Sequence, residues 1–202
     1  MTQPQAPTTK GARQQREILD AALSCLGRDG FAATSLARVA DEAGVSKRMV
    51  LYYFDSREAL FTQLTRAIGR RLLTQLEDAI TGLQDPGEVT EAGFTRMWEA
   101  ITADRGLLVA LFGVTIESAT DAGLAEAIAD FRESFRALLR RQLADARTHG
   151  RRTVFDDDVA VTMMLSGFYG LAFEWLETGD TPELRETIAG YQRLVAGLAP
   201  AA

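Results

Sequence analysis

Nine consecutive residues, Ser46-Lys47-Arg48-Met49-Val50-Leu51-Tyr52-Tyr53-Phe54, combine a hydroxyl, two adjacent cations and two phenols. Read as a short helix, the stretch has Ser46 as N-cap, accepting from the free N–H groups of the first turn. The positive end of the helix dipole then adds to the field of Lys47 and Arg48. Such a helix end attracts anions. DNA is the abundant anion whose major groove admits one α-helix and whose phosphates line that groove, so the chemistry expected here is phosphate contact and base-edge reading.

The elements needed to hold that helix lie just before it. Between Arg13 and about Arg28, Ile18, Leu19, Ala22, Cys25 and Leu26 recur three and four apart, which predicts one buried helical face. Gly30 supplies the left-handed backbone that commonly ends a helix. Thr34 or Ser35 then caps a short second helix buried through Leu36, Val39 and Ala40, and Gly44 makes the turn into Ser46. Two short helices around a glycine turn, the second carrying the cations, form a helix-turn-helix pattern. The same turn also occurs in helical bundles that bind no nucleic acid.

The order of residues favours the first of these readings. Phe31, Thr34, Val39-Ala40, Ala43-Gly44-Val45-Ser46, Tyr53-Phe54, Ser56-Arg57-Glu58 and Leu60 resemble, in type and spacing, the DNA-binding region of the tetracycline-repressor (TetR-type) family over about residues 13 to 65. The resemblance implies that Arg57 stands where the family has a phosphate-contacting lysine. It also marks a departure, because Leu51 occupies a position where the family commonly has a tyrosine. Tyr52 and Tyr53 are the nearest replacements for the missing hydroxyl, and Tyr53 is equally placed to pack inward. The expected DNA-facing set is therefore Thr34, Ser35, Ser46, Lys47, Arg48, Tyr52, Tyr53 and Arg57. Either Asp55, with Glu58 at capping-box spacing, or Ser56 caps the fourth helix.

That helix carries Leu60, Leu64, Ile68, Leu72, Leu76 and Ile80, all four apart, and should run about 25 residues before Gln84-Asp85-Pro86-Gly87 stops it. Further helical periods follow to Leu198, with no strand-like alternation and no internal repeat. Met97, Trp98, Phe112, Ile116, Phe131, Phe135, Met163, Phe168 and Tyr169 are the adaptable side chains from which a pocket for an apolar ligand would be built, with Glu117 to receive a cationic or hydroxylated group. Aromatic residues at this spacing also build ordinary cores, and Glu117 is equally suited to the surface.

Asp156-Asp157-Asp158 resembles a metal site only in composition. Successive helix residues diverge by about 100°, so the three read as first-turn charges favoured by the dipole. The helix behind them is apolar on nearly every face from Val159 to Phe173. With the last helix it offers more apolar surface than one chain is expected to cover. Gly167, Gly170, Phe173, Leu184, Ile188, Tyr191, Leu194 and Val195 are the expected contacts with a second copy, as the resemblance also implies. Completion of the monomer core is the alternative.

The net charge of −6 hides an asymmetry: 11 Lys+Arg against 7 Asp+Glu up to Arg71, and 11 against 21 beyond it. A basic footprint confined to one end of an acidic body fits a nucleic-acid partner. One cysteine, Cys25, cannot form an internal disulfide, and no signal-peptide pattern opens the chain, so a cytoplasmic protein is expected. The uncharged runs Gly106–Ile116 and Val159–Phe173 fall short of the roughly 20 residues of a membrane span. No phosphate-cradling loop, zinc-ligand spacing or nucleophile elbow points to an enzyme, cofactor or metal.

The expectation is an all-α chain of about nine helices. Its parts are a flexible arm (1–12), a three-helix DNA-binding domain (13–57), and a ligand-binding and dimerisation domain (58–202) joined through the long helix. Its expected function is that of a homodimeric repressor, bound to a palindromic operator and released by a small apolar or amphipathic effector. An activator with the same head, or a helical protein-interaction module, is the alternative.

Overall fold

The protein is described here by a computed structural model covering residues 9–83 and 85–199, in which every regular element is an α-helix. In chain order these are α1 (Thr9–Ala33), α2 (Leu36–Glu42), α3 (Lys47–Phe54), α4 (Arg57–Ile80), α5 (Pro86–Thr102), α6 (Arg105–Glu117), α7 (Ala122–Thr148), α8 (Asp157–Thr178) and α9 (Pro182–Ala196). The arm expected over residues 1–12 lies outside the described residues as far as residue 8, and residues 9–12 open α1. The helices form two compact units, residues 1–67 with 109–128 and residues 68–108 with 129–202. Helices α4, α6 and α7 each contribute to both.

In the first unit, Ile18, Ala22, Cys25, Leu26, Val39, Ala40, Val50, Phe54, Leu60, Phe61 and Leu64 close a core around which α1, α2 and α3 are wrapped. Gly30 interrupts α1 at φ 78°, and Gly44 turns the chain between α2 and α3 at φ 64°. Both angles lie in the left-handed region, where a Cβ would be strained. The two caps read from the sequence are made: Ser35 accepts from the Arg38 N–H at 3.3 Å and Ser46 from the Met49 N–H at 3.2 Å. At the start of α4 the choice falls on Ser56, which accepts from the Ala59 N–H at 3.0 Å, whereas Asp55 ends α3 at φ 59°.

Helix α4 is 24 residues long, or about 36 Å at 1.5 Å per residue. Its buried residues Leu60, Leu64, Ile68, Leu72 and Leu76 recur every fourth position, so the stripe turns by about 40° per step. The helix therefore buries different faces at its two ends.

The second unit holds a core of Met97, Ile101, Phe131, Phe135, Leu138, Leu143, Val161, Leu171 and Leu184. Asp85 caps α5, and Asp156 caps α8 by accepting from the Asp158 N–H at 3.0 Å. Asp157 pairs with Arg147, and Asp158 with Arg140 at 2.7 Å. The three consecutive aspartates thus do three separate jobs. Among the described residues α8 is the one helix long and apolar enough, by length and composition, to cross a membrane. Its uncharged run is shorter than the helix, which carries Asp157 and Asp158 at one end and Glu174 and Glu177 at the other.

Candidate nucleic-acid interface

Helix α3 has a clean division of faces. Val50 and Phe54, one turn apart, are buried, while Leu51 and Tyr53 are half-buried at the flanks. At about 100° per residue, Arg48, Met49 and Tyr52 fall on the opposite side, and all three are exposed, Tyr52 to 77%. Lys47 is exposed at the N-terminal end. The Tyr52 ring meets that of Tyr53 edge-on, with centroids 5.2 Å apart, and Tyr53 continues onto Phe54. Tyr52 is thus the phenol turned to solvent, one residue after the half-buried Leu51.

Neighbouring cations are not available in the same way. Arg28 pairs with Glu42 at 3.0 Å, and Arg38 with Asp29 at 2.7 Å, in a network that ties α1 to α2. Hydrogen bonds from Arg38 and Arg28 hold the Asp29 carboxyl below its ordinary range, and Arg28 with Ser24 does the same for Glu42. Lys47 and Arg48 have no ion pair among the described residues. Lys47 and Arg48 thus place two adjacent exposed cations at the start of α3.

Two members of the expected DNA-facing set are turned inward. Thr34 is fully buried and donates its hydroxyl to the Gly30 carbonyl at 2.7 Å. The half-buried Arg57 donates from Nε to the Thr34 carbonyl at 2.9 Å and from Nη2 to the Phe31 carbonyl. Ser35 is exposed as the cap of α2. Met49 was missing from the sequence-derived set. Its signal was present, since it lies three residues before Tyr52 and therefore on the same face.

Residues 18–64 match the family described as "Bacterial regulatory proteins, tetR family". The chain is 31% identical over 104 residues to the HTH-type transcriptional repressor KstR2 of Rhodococcus jostii (strain RHA1), covering 51% of each. It thus spans about half the length of that curated relative. With the uncharacterized HTH-type transcriptional regulator YhgD of Bacillus subtilis (strain 168) it shares 26% identity over 90% of its own length and 93% of the relative's. A TetR transcription regulator from Haloarcula marismortui superposes with a TM-score of 0.83 at 20% identity, over 94% of this chain and 100% of that one. Residues 18–64 are a tetR-family domain.

The family model covers the head alone, whereas the solved structure matches the fold of nearly the whole chain. In the second unit, Met97, Phe131 and Phe135 are buried, and Trp98, Phe168 and Tyr169 half-buried. Phe94 stacks on Trp98 at 6.1 Å and meets Phe168 edge-on at 5.5 Å and Tyr191 at 5.8 Å, forming an aromatic cluster from α5, α8 and α9. A cavity of about 280 Å³ in the same unit is lined instead by Leu139, Leu143, Met164 and Val195, with Gln142 and Arg151 among its polar groups. Met163 lies exposed on α8. Phe112, Ile116 and Glu117 belong to the first unit, where Ile116 is 72% exposed and the other two are half-buried.

The residues expected at a subunit interface divide in the same manner. Leu184 and Val195 are buried within the subunit, and Ile188 is half-buried. The Tyr191 hydroxyl donates to the Met164 carbonyl, and burial pushes its pKa up to about 12. Gly167 lies under the Tyr191 ring, so its small size serves contact between α8 and α9. Gly170 has open space around it, Phe173 is 50% exposed and Leu194 54%. Val159 and Met163 are likewise exposed apolar residues of α8.

Proposed function

We propose that this chain is a transcriptional repressor that binds a palindromic operator as a homodimer and leaves it when a small apolar or amphipathic effector binds. The observation that carries the reading is the outward face of α3, where Lys47, Arg48, Met49 and Tyr52 are exposed over a core fixed by Val50 and Phe54. Lys47 neutralises a phosphate, Arg48 reads a guanine edge, Met49 meets a thymine methyl, and Ser35, Ser46, Tyr52 and Tyr53 supply further polar contacts at the groove rim. Residues 13–57 form the DNA-binding domain and 58–202 the effector and dimerisation domain.

Support for the dimer comes from Val159, Met163, Gly170, Phe173 and Leu194, an apolar surface that a second copy would cover through an isologous contact. Support for an effector comes from the adaptable aromatic cluster and the cavity of the second unit. Release requires the effector to bind the DNA-incompetent state more tightly, since equal binding to both states shifts nothing. A working place in the cytoplasm follows from the DNA partner. Titration against the DNA upstream of the chain's own gene at two salt concentrations tests the reading. Affinity should fall steeply with salt, with a slope set by the phosphates neutralised; absence of binding at low salt would refute it.

A further inference from the structure

A cation in the first turn of a helix opposes the helix dipole, yet Arg57 opens α4. What compensates it lies 23 and 26 residues earlier, in the carbonyls of Thr34 and Phe31. Those carbonyls belong to the corner that begins where Gly30 breaks α1 and ends at Ser35, the cap of α2. The guanidinium also lies 4.4 Å from the centroid of the Phe31 ring and 4.8 Å from that of Phe61, and the two rings are themselves 4.8 Å apart. Thr34 completes the corner with its hydroxyl on Gly30 and its N–H on the Phe31 carbonyl.

We propose that Arg57 is a positioning residue for DNA recognition: it fastens the Gly30–Thr34 corner to the start of α4 and so sets the pose of α2 and α3, without itself neutralising a phosphate. The inference rests on the DNA-binding reading of α3. Its chemistry favours an arginine, because a planar fork serves two carbonyls in fixed directions while its face lies on an aromatic ring, and the compact ammonium of a lysine has no planar face to do both at once. A phosphate contact would need only the charge.

The test compares wild type with Arg57→Gln, Arg57→Lys and Thr34→Val, each confirmed folded by circular dichroism, on a duplex that wild type selects from a random pool and on random duplex across a salt series. Thr34→Val loosens the same corner without removing a cation, and serves if Arg57→Gln does not fold. If α3 is mispositioned, base reading fails while phosphate contacts persist. Operator affinity should then fall about tenfold in all three variants, random-duplex affinity less than about twofold, and the salt slope stay unchanged. Partial unfolding would lower both affinities equally and leave their ratio intact, which would overturn the proposal. So would a slope reduced by about 0.9 per half-site in Arg57→Gln with affinity kept in Arg57→Lys, the signature of a phosphate contact. Unchanged affinity in Arg57→Gln also overturns it while leaving the DNA-binding reading intact. Failure of wild type to bind any DNA at low salt overturns both.

Discussion

Replacing Gly167 by alanine should destabilise the fold, whereas the same change at Gly170, three residues along the same helix, should not. An alanine Cβ at Gly167 would lie 2.8 Å from Tyr191 Cζ and 3.0 Å from its Oη, so the ring must move. It is held by the hydrogen bond to the Met164 carbonyl and by Phe94 at 5.8 Å. Loss of that bond costs about 1 kcal/mol and overpacking about 1–3 kcal/mol, against a gain of about 1 kcal/mol in helix propensity. The net loss is about 1–3 kcal/mol, which for a chain of this length lowers Tm by roughly 2–4 °C per kcal/mol. Within the chain nothing within 4 Å would meet a Cβ at Gly170, so inside the subunit only the propensity gain of up to about 1 kcal/mol remains, and any loss at Gly170 would have to come from the contact with a second copy. Thermal denaturation followed by circular dichroism measures both, and a Tyr191→Leu background tests the cause. With the ring gone, Gly167→Ala should turn neutral or stabilising, a non-additivity expected of groups in contact. A Gly167→Ala protein as stable as wild type, or strictly additive effects, would refute the reasoning.

Three further outcomes follow from the same geometry. Lys47→Ala should weaken binding to all DNA sequences alike and reduce the salt slope by about 0.9 per half-site, while Arg48→Ala should relax preference at one base pair by about 1–3 kcal/mol; competition titrations separate the two. Phe173→Glu with Leu194→Glu should yield a monomer by light scattering where wild type is a dimer, and an unchanged mass would move the interface elsewhere. Because burial raises the Tyr191 pKa to about 12, the neutral phenol is favoured by folding, and its contribution is complete below about pH 10 and lost as pH rises toward 12. Denaturation midpoints should fall over that window more steeply in wild type than in Tyr191→Phe.

What the sequence disclosed is what local chemistry encodes. The caps Ser35 and Ser46, the turn at Gly44 and the alternation of Val50 and Phe54 with Arg48 and Tyr52 each depend on residues within one or two turns. The backbone hydrogen bonds of Arg57 escaped because its carbonyl partners are distant in the chain and no local pattern announces them. The division of α8 and α9 into buried and exposed residues escaped for a different reason. Periodicity finds the apolar side of an amphipathic helix, but α8 is apolar all round: Ala160, Val161, Leu171 and Ala172 are buried while Val159, Met163 and Phe173 are exposed. Nothing in spacing says which apolar side turns inward. Likewise the cluster of Phe94, Phe168 and Tyr191 draws on three separate helices, so its membership is settled only by packing.

Selection of bound duplexes from a random pool, with the mass of the complex measured on the winning sequence, probes α3 as a paired reading head. Recovered sequences should converge on a palindrome whose half-site centres lie about one helical turn, roughly 34–36 Å, or a multiple of it apart, bound by an even number of chains. A pool that stays random at low salt, or a single unpaired half-site bound by one chain, would contradict it.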